Sequence, residues 1–153
     1  ANYKRAYSDV PATKIDNTER SGKVRCMRES FTFDGDAVSG DTIILGRLPA
    51  GAMVLGARMF GVDLGGTGTA ELGNSASVDG SAADALDVDS FLDAIDHSGQ
   101  AFDSLDSASG NRGPAIGIIR FSKEVNVIWT LTGATASTLN KTVYLELFYQ
   151  IVP

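Results

Sequence analysis

Apolar and polar residues alternate along several short stretches of this chain, and a two-residue period is typical of β-strands with one buried face. The period is clearest in 125–132, where one face is apolar throughout and carries Val125, Val127, Trp129 and Leu131. The stretch 142–152 also alternates, but its second face carries Tyr144 and Phe148. We therefore predict that this last strand is central in its sheet or meets a partner.

Seven stretches in all predict strands, and turns rich in Gly, Asp or Pro separate them. They are 23–33, 42–48, 52–64, 69–73, 115–122, 125–132 and 142–152. The second and third of these strands meet at a Leu-Pro-Ala-Gly corner, which we interpret as a turn between two scaffold strands rather than as the floor of an active site.

One segment predicts a helix instead. From about residue 75 to 114 the chain is rich in Ser, Ala, Gly and Asp. Within it, 87–97 carries four apolar residues at the i, i+3, i+4 and i+7 spacing of a helix, namely Val88, Phe91, Leu92 and Ile95. We expect Asp89 or Ser90 to cap this helix, Gly99 to end it, and His97 to lie in its last turn.

Short strands with glycine-rich turns predict an all-β domain over residues 23–153, namely an antiparallel two-sheet sandwich that is jelly-roll-like and has one short helix. An immunoglobulin-like sandwich is the alternative, but the paired cysteines of that family cannot form in a chain with one cysteine. Residues 1–22 show no regular period and predict an extended N-terminal arm. This arm is either disordered or lies along a neighbouring subunit.

The charge of the chain is unevenly distributed. Residues 1–28 contain seven basic and three acidic side chains and carry +4, so the rest of the chain carries −10 within a net charge of −6. A basic arm suits an acidic protein surface, and the acidic body repels a phosphate backbone, so we expect no direct nucleic-acid partner. No apolar run approaches the ~20 residues of a membrane helix, so we expect no membrane partner. The initial Ala fits removal of an initiator Met from a protein made in the cytoplasm.

The residue inventory argues against an enzyme. The single cysteine, Cys26, and the single histidine, His97, exclude an internal disulfide and any metal site built from several Cys or His. The acidic stretch 79–96 lacks the pattern of a calcium loop. The glycine-rich stretch 61–68 precedes a strand rather than a helix, which favours a hairpin over a nucleotide-binding loop. We therefore expect no metal and no cofactor, and we expect Cys26 to be a small buried side chain.

Two arginines interrupt apolar strand faces. Counted by plain alternation, Arg47 lies on the face of Leu45, and Arg58 lies on the face of Val54. Either β-bulges shift the register, or these faces pack against another subunit, or the arginine stems cover apolar surface while their heads reach water.

The run GDTIILGRLPAGAMVLGARM, the short strand TGTAELGN and the segment DVDSFLDAIDHSGQ resemble small virion proteins of tailed bacteriophages. More narrowly, residues 31–150 resemble the β-sandwich capsid decoration proteins, also called cement proteins. That resemblance implies a structural virion protein on the capsid exterior that stabilises the shell. It further implies the major capsid protein as partner and a homo-oligomer, with a trimer favoured.

Two other kinds of role stay open. One is a head–tail connector, tail or fibre component, and the other is a carbohydrate-binding module. Because tyrosine and arginine anchor many interfaces, six residues are candidates for contact with the capsid or a sister subunit: Tyr3, Lys4, Arg5, Tyr7, Arg47 and Arg58.

Overall fold

A computed structural model describes residues 23–65, 69–97, 102–105, 113, 115–132 and 137–152. These residues form eight strands, and no helix occurs among them. In chain order the strands are β1 (Arg25–Thr32), β2 (Thr42–Leu48), β3 (Ala52–Gly61), β4 (Thr69–Ser77), β5 (Asp87–Asp96), β6 (Phe102–Leu105), β7 (Val125–Thr132) and β8 (Thr142–Ile151). The predicted arm, 1–22, lies outside the described residues.

The strands form two antiparallel four-stranded sheets. Sheet A has the order β1-β8-β3-β6, and sheet B has the order β2-β7-β4-β5. The chain changes sheets at every connection except the one between β4 and β5. This jelly-roll-like order confirms the predicted two-sheet sandwich, and it makes β8 central in sheet A.

The Leu-Pro-Ala-Gly corner carries the chain from sheet B to sheet A. The Ala52 amide donates to the Pro49 carbonyl at 3.2 Å, and Gly51 adopts a φ of 82°. Only glycine takes that backbone conformation without strain. The corner is therefore a scaffold turn, as the sequence predicted.

The core lies between the sheets and takes apolar side chains from both. Trp129 on β7 is 1% exposed, and its ring meets that of Phe33 edge to face at 5.7 Å between centroids. Phe91 and Phe121 meet in the same way at 6.0 Å. The alternation predicted for β7 is confirmed, because its apolar face is buried: Val125, Val127, Trp129 and Leu131.

The predicted helix over 87–97 is wrong, because the segment forms β5 and pairs with β4. Between Ala70 and Leu72 the partner on β5 moves from Ile95 to Leu92, so two residues of β4 face three of β5. A bulge of this kind inserts an extra residue into one strand. Bulges therefore gave the buried residues of a strand the spacing of a helix.

Two further expectations need correction. The segment 115–122 is not a regular strand: 115–118 forms a turn, and Arg120 makes a single bridge to Met53. Its amides still bond to β3, since Gly117 donates to Val54 at 2.7 Å. The short strand β6 was not predicted, and it pairs with the C-terminal half of β3.

Candidate interaction surface

Bulges explain the two arginines that interrupt apolar faces. The register of β2 against β7 shifts between Ile44 and Gly46, and the register of β3 against β8 shifts between Val54 and Gly56. Each shift turns the following arginine to the outside of its sheet. Of the three explanations that the sequence left open, the bulge therefore accounts for both positions.

The two arginines lie on different sheets and do not form one site. Arg47 lies on the outside of sheet B, where its Nε donates to Asn126 Oδ1 at 3.2 Å and its guanidinium pairs with Glu124 at 3.2 Å. Arg58 lies on the outside of sheet A, opposite Glu146. The four candidates in the arm, Tyr3, Lys4, Arg5 and Tyr7, lie outside the described residues.

An aromatic row crosses the outside of sheet A beside Arg58. Phe60 on β3 lies directly opposite Tyr144 on β8, and the two rings stack with 5.2 Å between centroids and 14° between planes. The Arg58 guanidinium carbon lies 4.5 Å from the Phe60 centroid, which is within the range of a cation–π contact. The cross-strand register thus assembles the row from residues far apart in sequence.

Glu146 joins this row to the edge strand. Its carboxylate lies 3.4 Å from Arg58 Nη1 and 3.5 Å from Arg28 Nε on β1. The Glu146 side chain is 20% exposed, whereas that of Arg28 is 75% exposed. The network holds Arg58 over the aromatic row and leaves most of Arg28 in water.

Beside this network the surface is concave and partly apolar. A depression of about 460 Å³ lies between β1 and β8, with Arg28, Ser30, Tyr144 and Glu146 among its lining residues. Tyr144 and Phe148 on β8 are 42% and 39% exposed. We call Arg58, Phe60, Tyr144, Glu146 and Phe148 together the aromatic face. Aromatic residues and arginine are the types enriched in protein interfaces.

The edge strand beside the aromatic face is basic. Lys23, Arg25 and Arg28 are exposed, and Glu29 is the one carboxylate on β1. Within the described part of the chain, Lys23 and Arg25 form no ion pair. We call these three cations the basic edge. Cys26 on the same strand is exposed, so its predicted burial is wrong; its position follows from facing outward beside Phe148.

The opposite edge of the sandwich is acidic. Glu71 on β4 lies close to Asp87, Asp89 and Asp93 on β5, and we call these four residues the acidic edge. The pKa of Glu71 is raised by burial, then by the charges of Asp89, Asp93 and Asp87. The pKa of Asp89 is raised first by its hydrogen bond with Asp87. These carboxylates repel one another and lack a cation among the described residues.

The described residues contain neither a candidate metal site nor a candidate membrane-spanning helix. No group of three or more His, Cys, Asp or Glu that could hold a metal ion occurs among them. Helices long and apolar enough to cross a membrane are also absent from that part of the chain. His97 directly follows the strand β5, so its predicted place at the end of a helix is wrong. Its side chain is fully buried beside Trp129, with 6.3 Å between ring centroids.

Comparison with known proteins bears on the fold. No known family profile matches the chain, and no curated protein matches it by sequence. A chain in the structure of the capsid of Ralstonia phage GP4 matches with a TM-score of 0.68 and 24% identity, over 84% of this chain and 84% of that chain. A chain of the cyanophage Pam1 capsid asymmetric unit matches with a TM-score of 0.59 and 17% identity, over 85% and 86%. The chain therefore shares its fold with a chain in each of these two phage capsid structures.

This likeness concerns the fold. It extends over most of both chains, so the sandwich as a whole is shared rather than a single motif. The surface of this chain carries two charged patches, namely the aromatic face with its basic edge and, on the other side, the acidic edge. Of the residues in these patches, sequence reasoning named only Arg58 as a contact candidate. It placed Tyr144 and Phe148 on the second face of the last strand, and it gave no contact role to Phe60, Glu146 or Arg28.

Proposed function

We propose that this protein is a structural component of a phage virion that binds the outside of the capsid and stabilises it. The observation that carries this proposal is the fold shared with chains of two phage capsid structures over more than four fifths of each chain. The role is structural rather than catalytic, the major capsid protein is the partner, and the functional form is a homo-oligomer, with a trimer favoured.

The surface chemistry supports a binding role. A sheet face that exposes Tyr144 and Phe148 beside Arg28 has the composition of an interface centre. Contacts of about 800 Å² per partner are standard for stable protein complexes, and the outside of a four-stranded sheet offers an area of that order. The residues 1–22, with Tyr3, Arg5 and Tyr7, supply a second attachment in this proposal.

Binding to purified capsids tests the proposal. Capsids assembled from the cognate major capsid protein are incubated with the full chain or with a chain that lacks residues 1–15, and the occupancy is measured after sedimentation. We expect the full chain to bind and to raise the temperature at which the shells disassemble. Loss of residues 1–15 is expected to leave the domain folded and to lower the occupancy. A full chain that leaves the shells bare contradicts the proposal.

The number of copies per particle separates this role from a connector, tail or fibre component. A protein that covers the shell is present in hundreds of copies, whereas a connector forms a ring of about six or twelve. Densitometry of purified virions against the major capsid protein measures this number. A count of about six or twelve copies would favour a connector, tail or fibre component. Binding to glycans on an array would favour the carbohydrate-binding alternative.

A further inference from the structure

The basic edge and the acidic edge lie on opposite sides of the same sandwich. The strands β1 and β2 contact each other at one side, and β5 and β6 contact each other at the other. β1 carries Arg25 and Arg28 of the basic edge, and Lys23 precedes that strand. β5 carries three of the four carboxylates of the acidic edge. The two patches therefore do not overlap, and one copy can use both at once.

Their charges are complementary. The basic edge contributes three positive charges, and Glu29 on β1 offsets one of them. The acidic edge contributes four carboxylates. Burial raises the pKa of Glu71, and the charges of Asp89, Asp93 and Asp87 raise it further. No cation among the described residues pairs with these four carboxylates, so a cationic partner would relieve a repulsion that already exists. Opposite charges arranged in this way direct association and fix the register of the contact.

The aromatic face adds an apolar contribution beside the cations. Arg28 belongs to the basic edge and also lines the 460 Å³ depression next to Tyr144. That depression has room for a side chain of a partner, and the rings of Tyr144 and Phe148 remain partly exposed. A charged rim around aromatic side chains is the usual construction of an interface.

We propose that the basic edge and aromatic face of one copy bind the acidic edge of a second copy, in a head-to-tail contact between copies of this chain. A contact between two different patches forms a closed ring if its rotation closes, and a filament if it does not. The proposal rests on the homo-oligomeric part of the proposed function and is independent of capsid binding. It can therefore be tested without capsids.

Charge reversal on each edge tests the contact. The first variant is Arg25→Glu with Arg28→Glu, and the second is Asp89→Lys with Asp93→Lys. The association of the full chain is measured by sedimentation velocity at low salt. We expect each variant alone to associate at least tenfold more weakly than the natural chain. We expect an equimolar mixture of the two to associate again, because each supplies the charge that the other lacks.

Two controls make the result specific. Arg120→Glu with Lys123→Glu changes the net charge by the same amount as the basic-edge variant, at two positions that belong to neither patch, and is expected to leave association unchanged. All four reversals in one chain restore the complementary pair and are expected to restore association. Folding of each variant is checked by circular dichroism, and Arg25→Glu or Asp93→Lys alone replaces a double variant that does not fold.

Three outcomes overturn the proposal. The first is a natural chain that stays monomeric at low salt and high concentration. The second is a reversal of either edge that leaves the association constant unchanged. The third is a mixture of the two variants that does not associate, which favours a symmetric contact between two aromatic faces. Capsid occupancy is a separate measurement, so failure of the copy–copy contact and failure of capsid binding are distinguishable.

Discussion

Phe60 and Tyr144 face each other across β3 and β8, and their rings stack with 5.2 Å between centroids. The Arg58 guanidinium lies over the Phe60 ring of this pair. Stacking at this distance is a favoured arrangement of an aromatic pair, and aromatic cross-strand pairs stabilise sheets. Glu146 pairs with Arg58 at 3.4 Å and so helps to hold its guanidinium beside the rings.

Removing the Phe60 ring is expected to destabilise the protein. Phe60→Ala loses a stacked pair and a cation–π contact, and such contacts contribute about 1 kcal/mol each beyond the apolar area that they bury. We expect the free energy of unfolding to fall by about 2 kcal/mol, measured by urea denaturation. Phe148→Ala is the matched control, since Phe148 is 39% exposed, and it is expected to cost less than half as much. Equal costs for the two variants would show that the row adds nothing to stability.

Glu146→Gln tests the carboxylate that pairs with Arg28 and Arg58. Both ion pairs are lost while the size of the side chain is kept, and we expect a cost of about 1 kcal/mol that shrinks at high salt. The control is Glu124→Gln, which breaks the more exposed pair with Arg47 and is expected to cost a few tenths of a kcal/mol at most. Urea denaturation at two salt concentrations measures both. A Glu146→Gln variant as stable as the control contradicts a shared network.

The raised pKa of Glu71 predicts a pH-dependent effect. A carboxyl group with a raised folded pKa costs stability when it is ionised, and the cost disappears as the pH falls below its ordinary value of 4.5. Glu71→Gln should therefore be more stable than the natural chain at pH 7, by a few tenths of a kcal/mol, and the two should converge near pH 4. The fluorescence of Trp129, the single tryptophan, reports unfolding in dilute, monomeric samples.

The pKa of Asp79 is shifted in the opposite direction to that of Glu71, so a substitution there should change stability in the opposite direction. Its pKa is lowered, first by hydrogen bonds with Ser81 and then by Lys123, so its ionised form stabilises the fold above the ordinary value of 3.8. Asp79→Asn is expected to lower stability at pH 7 and to have less effect as the pH falls. If Glu71→Gln also lowers stability at pH 7, the repulsion within the acidic edge is not its dominant interaction.

Plain alternation assigns the buried face correctly in a strand that has no bulge of its own. β7 has the predicted bounds, because its alternate residues from Val125 to Leu131 all face the core. β5 was missed because its extra residues put Leu92 and Ile95 three apart, and pairing with β4 then overrides the helical pattern. Local periodicity cannot reveal a bulge, since the bulge is defined by the partner strand.

The same reasoning explains how much of the aromatic face could be predicted. The alternation of β8 alone places Tyr144 and Phe148 on its second face, and it predicted a strand that is either central in its sheet or meets a partner. Phe60 and Arg28 join them only through the register of β3 and β1 against β8. That register connects residues more than 80 positions apart, and a single sequence carries no local signal for it.

At Gly73 the backbone of β4 lies very close to the backbone of β5, and a substitution there tests whether the pairing needs this close contact. A Cβ atom there would overlap the backbone of β5 at the Asp87 carbonyl oxygen and at Val88. Because backbone atoms rather than flexible side chains meet the new atom, the strands would have to separate, and we expect Gly73→Ala to cost about 3 kcal/mol or more in unfolding free energy. Gly35→Ala is the control, since a Cβ at Gly35 meets nothing within 4 Å, and it is expected to be close to neutral. Thermal unfolding of both variants measures the difference. A Gly73→Ala chain that melts with the natural one would show that β5 does not lie against β4 at this point.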